Sequence, residues 1–483
     1  MSTVDGTAIL DTLTNNVLNT RFEDLSAENV DNARRRIIDM VGNALGGAAL
    51  PDMAALANMV EDWDGKEEAT ILGFGARVPL QEAAMVNCLL GRSFDWGPLV
   101  VIVDGKRYPT HTSETTVLTA LAAAESRRAT GREMITALLV GDDLAARLWV
   151  AAGDRPQPGQ GPAETAGQPP PRGGGFEPWG TITTFAATAI AGRLLGLSQS
   201  QLKQAFGIAV NLISGAGSGL WDGATVFKLS QGSSARSGVM AARLAQAGWT
   251  GIEDPFFGRR GGYYSIFENG CNRPEMLTRD LGKTYYHEVV FKPYPGGRPT
   301  HAPIQAALAL VRQNEVNPDD IVEAVLRTSA PATAAHYAKP YKVGDYPTGD
   351  ALFSYRFAVA SALLRGHAIN TDYDESSIRD PRLQALIAKT RQTGLDKPVG
   401  VELTVKMKNG REFVEYVPSA HGEPADPLTR DALIDKFMTQ VRFSHLVSEE
   451  DAADLVALME SLPGVDDVSR IPELAVRRPE RRT

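Results

Sequence analysis

Helical patterns rich in alanine and leucine recur through the first 280 residues, and this recurrence constrains the fold more than any other feature of the sequence. Within residues 28–48, the apolar residues Ile37, Ile38, Val41 and Leu45 fall at the intervals of one helical face. Similar patterns, separated by Gly or Pro, occur at 79–91, 113–128, 131–150, 181–195, 199–213 and 230–247. Their many Ala and Gly positions allow close approach of helices, so we expect a tightly packed bundle.

The pattern changes after about residue 286, where β-type runs alternate with helical stretches. The β-type runs are 288–291, 321–328, 401–407 and 412–417, and the helical stretches are 303–313 and 351–365. Asn409-Gly410 predicts a hairpin between the last two runs, because this pair accepts positive φ angles. Helical periodicity returns from residue 427. We therefore expect a mainly α fold with an α+β second domain: a large helical domain, residues 1–286 and 426–483, interrupted by a smaller α+β lid domain, residues 287–425.

One segment inside the helical region cannot fold by itself. Residues 153–175 are rich in Pro, Gly and Gln and contain almost no large apolar side chain. The segment is predicted to be a loop insertion. Such loops are either lids and partner-binding arms or disordered surface segments without a function of their own, and the sequence leaves both interpretations open.

Composition excludes several classes of function. The chain has 483 residues and a net charge of −9, which argues against a nucleic-acid binder. Its two cysteines, Cys88 and Cys271, allow neither a disulfide framework nor a C-x-x-C metal site, and its seven histidines show no H-x-x-x-H spacing. No apolar run approaches the roughly 18 residues of a membrane span. We expect a cytoplasmic protein that binds neither metal nor membrane.

The ten residues K-P-Y-P-G-G-R-P-T-H, 292–301, form the most distinctive loop. Its three prolines prevent a helix and restrict the backbone around Lys292, Tyr294 and Arg298. Clustered cations on a stiff loop suit a small anion, although a surface turn whose charges face water has the same pattern.

Two further residues are candidates from their local context. His111 directly precedes a helical pattern, where a neutral imidazole is favoured and can act as a general base; the alternative is a polar residue whose hydrogen bonds are satisfied locally. Lys228 has the apolar neighbours Val226, Phe227 and Leu229. It is either partly buried against an anion or acid, or a lysine that extends to the surface.

Several blocks of sequence, taken in order, resemble the MmgE/PrpD family, which includes 2-methylcitrate dehydratase, cis-aconitate decarboxylase and iminodisuccinate epimerase. The blocks are H-T-S-E-T-T-V-L-T-A-L-A-A-A-E (111–125), W-G-T-I-T-T-F-A-A-T-A-I-A-G-R-L-L-G-L-S (179–198), D-G-A-T-V-F-K (222–228) and K-P-Y-P-G-G-R-P-T-H (292–301). The resemblance implies a homodimer whose subunits each combine a helical domain with an α+β lid. It also implies an active site in the cleft between them that uses no cofactor and no metal.

The resemblance assigns His111, Lys228 and Lys292 to the active site, and the chain departs from the family elsewhere. Where members commonly read D-x-D-D-T, this chain reads S-F-D-W-G at 93–97 and keeps only the middle aspartate, Asp95. Relatives similar to cis-aconitate decarboxylase carry a histidine where Glu177 stands here. Another histidine position of the family is occupied by Gly297, which Arg298 follows.

These correspondences lead to a hypothesis for the reaction on a small polycarboxylate. Arg298 and Lys292 fix the substrate carboxylates, Lys228 stabilises the developing negative charge and His111 moves the proton. Glu177, with a pKa raised by burial, or Tyr294 supplies the proton for a leaving group, and Asp95 is a further candidate. Arg92, Ser93 and Asp95 are predicted to contact the substrate.

Three functional classes remain open at this point. A lyase, of the dehydratase or decarboxylase type, is ranked first. An epimerase or isomerase needs no acid for a leaving group. The lost family positions therefore weaken assignment to 2-methylcitrate dehydratase or cis-aconitate decarboxylase, and they favour an epimerase, an isomerase or a lyase for another acid. A catalytically silent relative that binds only a ligand or a partner is the third class, and the retained His111, Lys228 and Lys292 argue against it.

Overall fold

The computed structural model describes residues 5–153, 175–220, 222–328, 336–397 and 399–476. The predicted loop insertion at 153–175 lies, apart from its two end residues, outside this described part of the chain. None of the helices found in the described ranges is both long enough and apolar enough to cross a membrane.

Helices dominate the described chain, and nine of the eighteen lie before residue 250. They are α1 Gly6–Asn19, α2 Ala27–Gly47, α3 Pro51–Asp62, α4 Leu80–Arg92, α5 Ser113–Arg127, α6 Gly131–Ala151, α7 Pro178–Leu194, α8 Gln199–Ala209, α9 Leu229–Gln246, α10 Tyr263–Phe267, α11 His301–Gln313, α12 Pro347–Leu352, α13 Tyr355–Arg365, α14 Glu375–Ile378, α15 Pro381–Ala388, α16 Arg430–Ser444, α17 Glu449–Glu460 and α18 Arg470–Leu474. The strands are β1 Ala69–Thr70, β2 Arg77–Val78, β3 Leu99–Val103, β4 Lys106–Tyr108, β5 Val289–Val290, β6 Ile321–Thr328, β7 Thr390–Gly394, β8 Val401–Met407 and β9 Glu412–Val417. The predicted fold class, mainly α with a smaller α+β part, is confirmed.

The long helices pack at backbone distance where small residues face one another. A Cβ added to Gly238 of α9 would lie 2.5 Å from the Cβ of Ala187 in α7, so only glycine fits at this crossing. Gly232 of the same helix meets Leu89 of α4 in the same way, at 2.8 Å. The close approach expected from the Ala and Gly content is thus present, and it fixes α4, α7 and α9 as a rigid support for the loops at their ends.

The α+β part is built on a four-stranded sheet in the order β7-β6-β8-β9. β6 pairs in parallel with β7 and antiparallel with β8, and β8 and β9 form the predicted hairpin through Asn409 and Gly410. Gly410 has a φ of 80°, which explains why glycine occupies the turn. The strands predicted at 321–328, 401–407 and 412–417 are confirmed at those residues.

A second, three-stranded sheet corrects the expectation that the first 280 residues are nearly all helical. β3 pairs with β4 in a hairpin and with β5 on its other side. The turn Asp104-Gly105 has φ angles of 53° and 71°, so this Asp-Gly pair was a hairpin signal that helical periodicity obscured. The strand predicted at 288–291 is shorter, because only β5 finds partners on β3. The helix predicted at 351–365 is interrupted between α12 and α13.

The C-terminal helix α16 packs on α2 and on the turn that follows α4. Lys436 Nζ lies 2.7 Å from Asp39 Oδ1 and donates to the carbonyl of Trp96 at 2.6 Å. Gln440 Nε2 donates to Asn43 Oδ1 at 2.7 Å. These buried contacts support our proposal that residues 426–483 belong with residues 1–286 in one domain.

Candidate active site

The turn after α4 carries a buried aspartate, Asp95. Its backbone φ is 46°, a left-handed conformation that Asp adopts more readily than most residues other than glycine. The turn brings the Asp95 carboxylate onto the guanidinium of Arg92, the last residue of α4, in a buried ion pair. Trp96 Nε1 donates to the carbonyl of Lys292 at 3.0 Å, which joins this turn to the loop after β5.

Lys292 completes this charge cluster. Its Nζ lies 2.8 Å from Asp95 Oδ1 and also donates to the carbonyls of Asp95, at 2.6 Å, and Gly296, at 3.2 Å. Lys292 is fully buried, so the loop is not a turn whose lysine faces water. Burial, reinforced by Arg92 and opposed by Asp95, lowers the pKa of Lys292 to about 8. Burial would raise the pKa of Asp95, but Arg92 and Lys292 hold it well below its usual range.

His111 lies beside the cluster at the start of α5. Its Nδ1 is 3.5 Å from Glu114 Oε1 and 4.0 Å from Asp95 Oδ1. The His111 side chain is 15% exposed, whereas Glu114 is fully buried 3.9 Å from Arg92 Nη1. Burial, together with the nearby Arg92, lowers the pKa of His111, so the imidazole is neutral near pH 7. A neutral imidazole with partial access is chemically able to accept a proton.

Glu177 lies at the N-terminus of α7, near enough to Arg92 for the two charges to interact. As the N-cap residue it accepts a hydrogen bond from Gly180 N at 2.8 Å, the usual role of a polar side chain before a helix. Desolvation nevertheless raises the pKa of Glu177 to about 8, in spite of this hydrogen bond and of Arg92. Trp179, in the first turn of α7, packs on the imidazole of His111 with ring centroids 6.0 Å apart. A protonated carboxyl and a neutral imidazole thus adjoin one buried cluster.

Lys228 is buried but has its own acidic partner. Its Nζ lies 2.6 Å from Asp52 Oδ2 and 5.3 Å from the ring centre of Tyr346. Burial lowers the pKa of Lys228 despite Asp52. The link to the cluster is the neighbouring Phe227, whose ring centre is 5.4 Å from the guanidinium carbon of Arg92. The structure therefore places Lys228 next to the cluster but in contact with Asp52.

Tyr294, Arg298 and Ser93 contact residues other than Asp95, Arg92 and Lys292. Arg298 Nη2 lies 2.5 Å from Glu423 Oε1, and its Nη1 donates to the carbonyl of His421 at 3.0 Å. Tyr294 packs on His301 with ring centroids 5.7 Å apart. Ser93 Oγ donates to the Leu89 carbonyl of its own helix at 2.9 Å. Their predicted roles at the substrate stay predictions, with these competing contacts.

The two parts of the chain each match a known protein domain. Residues 11–274 match the MmgE/PrpD N-terminal domain, and residues 294–461 match the MmgE/PrpD C-terminal domain. The chain belongs to the MmgE/PrpD family. The resemblance drawn from the sequence is thus confirmed over most of the chain.

Similar proteins of this family include decarboxylases from animals and a fungal protein. Human cis-aconitate decarboxylase is 25% identical over 468 residues, which cover 92% of this chain and 90% of the relative. Mouse cis-aconitate decarboxylase is 25% identical over 465 residues, with 92% and 88% covered. The cis-aconitate decarboxylase-like protein oryM of Aspergillus oryzae is 24% identical over 499 residues, with 94% and 96% covered. These relatives support an enzyme of the MmgE/PrpD family.

Sequence reasoning missed Glu114, Trp179 and Tyr337 as neighbours of the cluster. The spacing of Glu114, three residues after His111 at a helix start, was a usable signal, since such residues share a helix face. Tyr337 is buried, and the negative charge of Asp95 adds to desolvation in raising its pKa. A Cβ added to Gly297 would lie 2.2 Å from the Tyr337 hydroxyl. No local pattern connects Tyr337 to residues so far away in sequence.

Two carboxylates at or beside this MmgE/PrpD site are paired with lysine or arginine side chains. Asp95 pairs with Arg92 and Lys292, and Asp52 pairs with Lys228. Across the described ranges, no three His, Cys, Asp or Glu side chains form a group that could hold a metal ion.

Proposed function

We propose that this MmgE/PrpD protein is a cofactor-independent lyase that acts on a small di- or tricarboxylic acid. It either removes water after a proton is abstracted next to a carboxylate, or removes carbon dioxide and protonates the enolate-like carbon that remains. The observation that carries the proposal is the position of a neutral, partly accessible His111 beside the buried cations Arg92 and Lys292. A base next to fixed positive charge is what formation of an enolate-like intermediate requires. The relatives named as cis-aconitate decarboxylases support a polycarboxylate as substrate.

In this mechanism His111 takes the proton and the two cations stabilise the resulting negative charge. Arg92 Nε is buried without a hydrogen-bond partner among the described residues, so it is a donor that a substrate carboxylate can satisfy. Lys292 already donates to Asp95, and a substrate carboxylate near it would share that ammonium. Lys228 then contributes its positive charge from the adjacent position.

Glu177 is the candidate proton donor of the proposed lyase. A carboxyl group with a pKa of about 8 carries its proton near pH 7. It can therefore protonate a leaving hydroxyl, or the carbon from which carbon dioxide has departed. Glu177 thus supplies an acid at the position where relatives carry a histidine. An epimerase has no leaving group, but it too needs a donor that returns a proton to the opposite face of the carbon, so this carboxyl does not separate the two reactions.

The test is turnover of a panel of acids in deuterated water. Purified protein is incubated with cis-aconitate, 2-methylcitrate and related di- and tricarboxylates, and proton NMR and carbon dioxide release are followed. We expect a product lacking water or carbon dioxide from at least one acid. His111→Asn should lower that rate by about 10²-fold or more. The matched control is His445→Asn, because His445 is exposed and has a φ of 54° that asparagine accepts.

Each alternative has its own outcome. Deuterium exchange that yields only a mirror-image or double-bond isomer would refute the lyase and leave the epimerase. No exchange and no thermal shift with any acid would refute both enzymes and leave the silent relative. We also propose a homodimer, as the family resemblance implies, and light scattering coupled to gel filtration tests it.

A further inference from the structure

Glu114 is a buried carboxylate for which the charge cluster supplies no hydrogen bond. It has no exposed surface, and neither of its oxygens accepts a hydrogen bond from the described residues. Its nearest cationic or titratable neighbours are His111 Nδ1 at 3.5 Å and Arg92 Nη1 at 3.9 Å. A buried carboxylate without donors is costly, so its retention calls for a reason.

We propose that Glu114 is a positioning residue that keeps the proton of neutral His111 on Nδ1 and thereby leaves Nε2 free to take a proton from the substrate. The inference rests on the proposed function, in which His111 is the base. An ionised carboxylate can only accept, so the imidazole nitrogen that faces it must carry hydrogen. His111 Nδ1 has no hydrogen-bond partner in the described chain, which leaves it available to Glu114.

Asp95 is the competing acceptor, and its contacts exclude it from this role. Its Oδ1 is 4.0 Å from His111 Nδ1, farther than Glu114, and it already binds Arg92 and Lys292. Glu114 has no such donor. Its position in the first turn of α5 also favours its ionised form, because the positive end of the helix dipole lies there.

Gly97 leaves the space that the Glu114 carboxylate occupies. A Cβ added at Gly97 would lie 2.7 Å from Glu114 Oε1, with Met40 Sδ next at 3.2 Å. Gly97→Ala therefore displaces the carboxylate without changing any charge. The backbone permits alanine, since Gly97 is not among the glycines of positive φ.

The charged groups around His111 set the expected direction of a pH effect. Glu114 on α5 and Asp95 on the turn after α4 raise its pKa, while Arg92 at the end of α4 and Lys292 on the loop after β5 lower it. From α7, Glu177 couples to Arg92 and Glu114, and Trp179 adds only an uncharged ring. Glu114→Gln removes one negative charge, so the pKa of His111 must fall.

The experiment compares Glu114→Gln, Gly97→Ala and the control Glu125→Gln by NMR of the full-length protein labelled with ¹⁵N in histidine. Glu125 is buried on the same helix but binds Thr70 and Arg77. The His111 signals are assigned by their loss in His111→Asn. In wild type we expect neutral His111 with hydrogen on Nδ1. Glu114→Gln should lower its pKa by about 1 unit, Gly97→Ala should change it in the same direction, and Glu125→Gln should leave it unchanged.

Activity supplies the second readout. Glu114→Gln should lower kcat by ~10-fold or more, leave KM nearly unchanged and move the acidic limb of kcat/KM to lower pH. A wild-type tautomer and pKa of His111 in both Glu114→Gln and Gly97→Ala would overturn the inference, even if the enzyme is active. If wild type turns over no acid, the proposed function fails, but the NMR result on the resting protein still decides the role of Glu114.

Discussion

Replacement of Lys292 by methionine tests whether burial of the Lys292 ammonium lowers the free energy of unfolding. Methionine has a similar length and no charge, so Lys292→Met removes the cation while it fills much of the same volume. Asp95 keeps its ion pair with Arg92. The change therefore isolates the titration of one buried lysine.

The magnitude follows from the pKa of Lys292, which is about 8 in the folded chain against 10.5 for an ordinary lysine. Because the unfolded chain binds this proton more tightly, protonation favours unfolding, and stability rises as pH increases from about 8 to 10.5. Between about pH 7 and about pH 9.5, wild type should gain about 2 kcal/mol of unfolding free energy relative to Lys292→Met.

The assay is urea unfolding of wild type and Lys292→Met at both pH values, with Lys66→Met as the control. The Lys66 side chain is 80% exposed, so its removal should change the pH dependence by less than about 0.5 kcal/mol. An equal stability difference between wild type and Lys292→Met at both pH values would show that the pKa of Lys292 is not depressed. The same variant should lose turnover, because the proposed reaction needs the charge.

Three other changes have defined outcomes. Glu177→Gln should lower kcat by ~10²-fold or more, but it should shift the melting temperature little because the amide oxygen still accepts from Gly180 N. An unchanged kcat would show that Glu177 is not the acid. Asp95→Ala should be less stable than Asp95→Asn by about 1 kcal/mol in denaturant melts, since asparagine tolerates the φ of 46°, and equal stabilities would contradict this strain. Arg298→Gln should cost ~1–3 kcal/mol of unfolding free energy because Glu423 loses a charged hydrogen bond, and KM should be nearly unchanged. A higher KM at unchanged stability would show that Arg298 binds the substrate.

Much of the fold could be predicted because local patterns and long-range packing agree. The strand at 321–328 is a mostly apolar run bounded by turn residues, so its limits were correct. The hairpin β3 to β4 was missed because its strands are short and lie between strong helical patterns. Its Asp104-Gly105 turn carried the information, but a two-residue signal competes poorly with helical periodicity on both sides.

The site was less predictable because its groups come from segments that only the fold brings together. Sequence motifs identified Lys292, His111 and Asp95 as site residues, and the structure places Lys292 and His111 next to the carboxylate of Asp95. The same loop reasoning assigned Arg298 to substrate, but the turn at Gly296, with a φ of 93°, precedes a segment bound to Glu423. Spacing in sequence cannot show which acid a buried cation will meet, since that partner comes from another element.

The charge balance of the site explains how a buried histidine can serve as a base. With His111 neutral and Glu177 protonated, Arg92 and Lys292 are matched by Asp95 and Glu114. Burial and Arg92 make imidazolium unfavourable in this state, as the lowered pKa of His111 expresses. A polycarboxylate that enters adds negative charge, which raises the pKa of His111. In the proposed mechanism the substrate therefore strengthens the base that deprotonates it. The proton taken from its carbon then gives His111 a positive charge, which offsets part of the negative charge that the substrate brings.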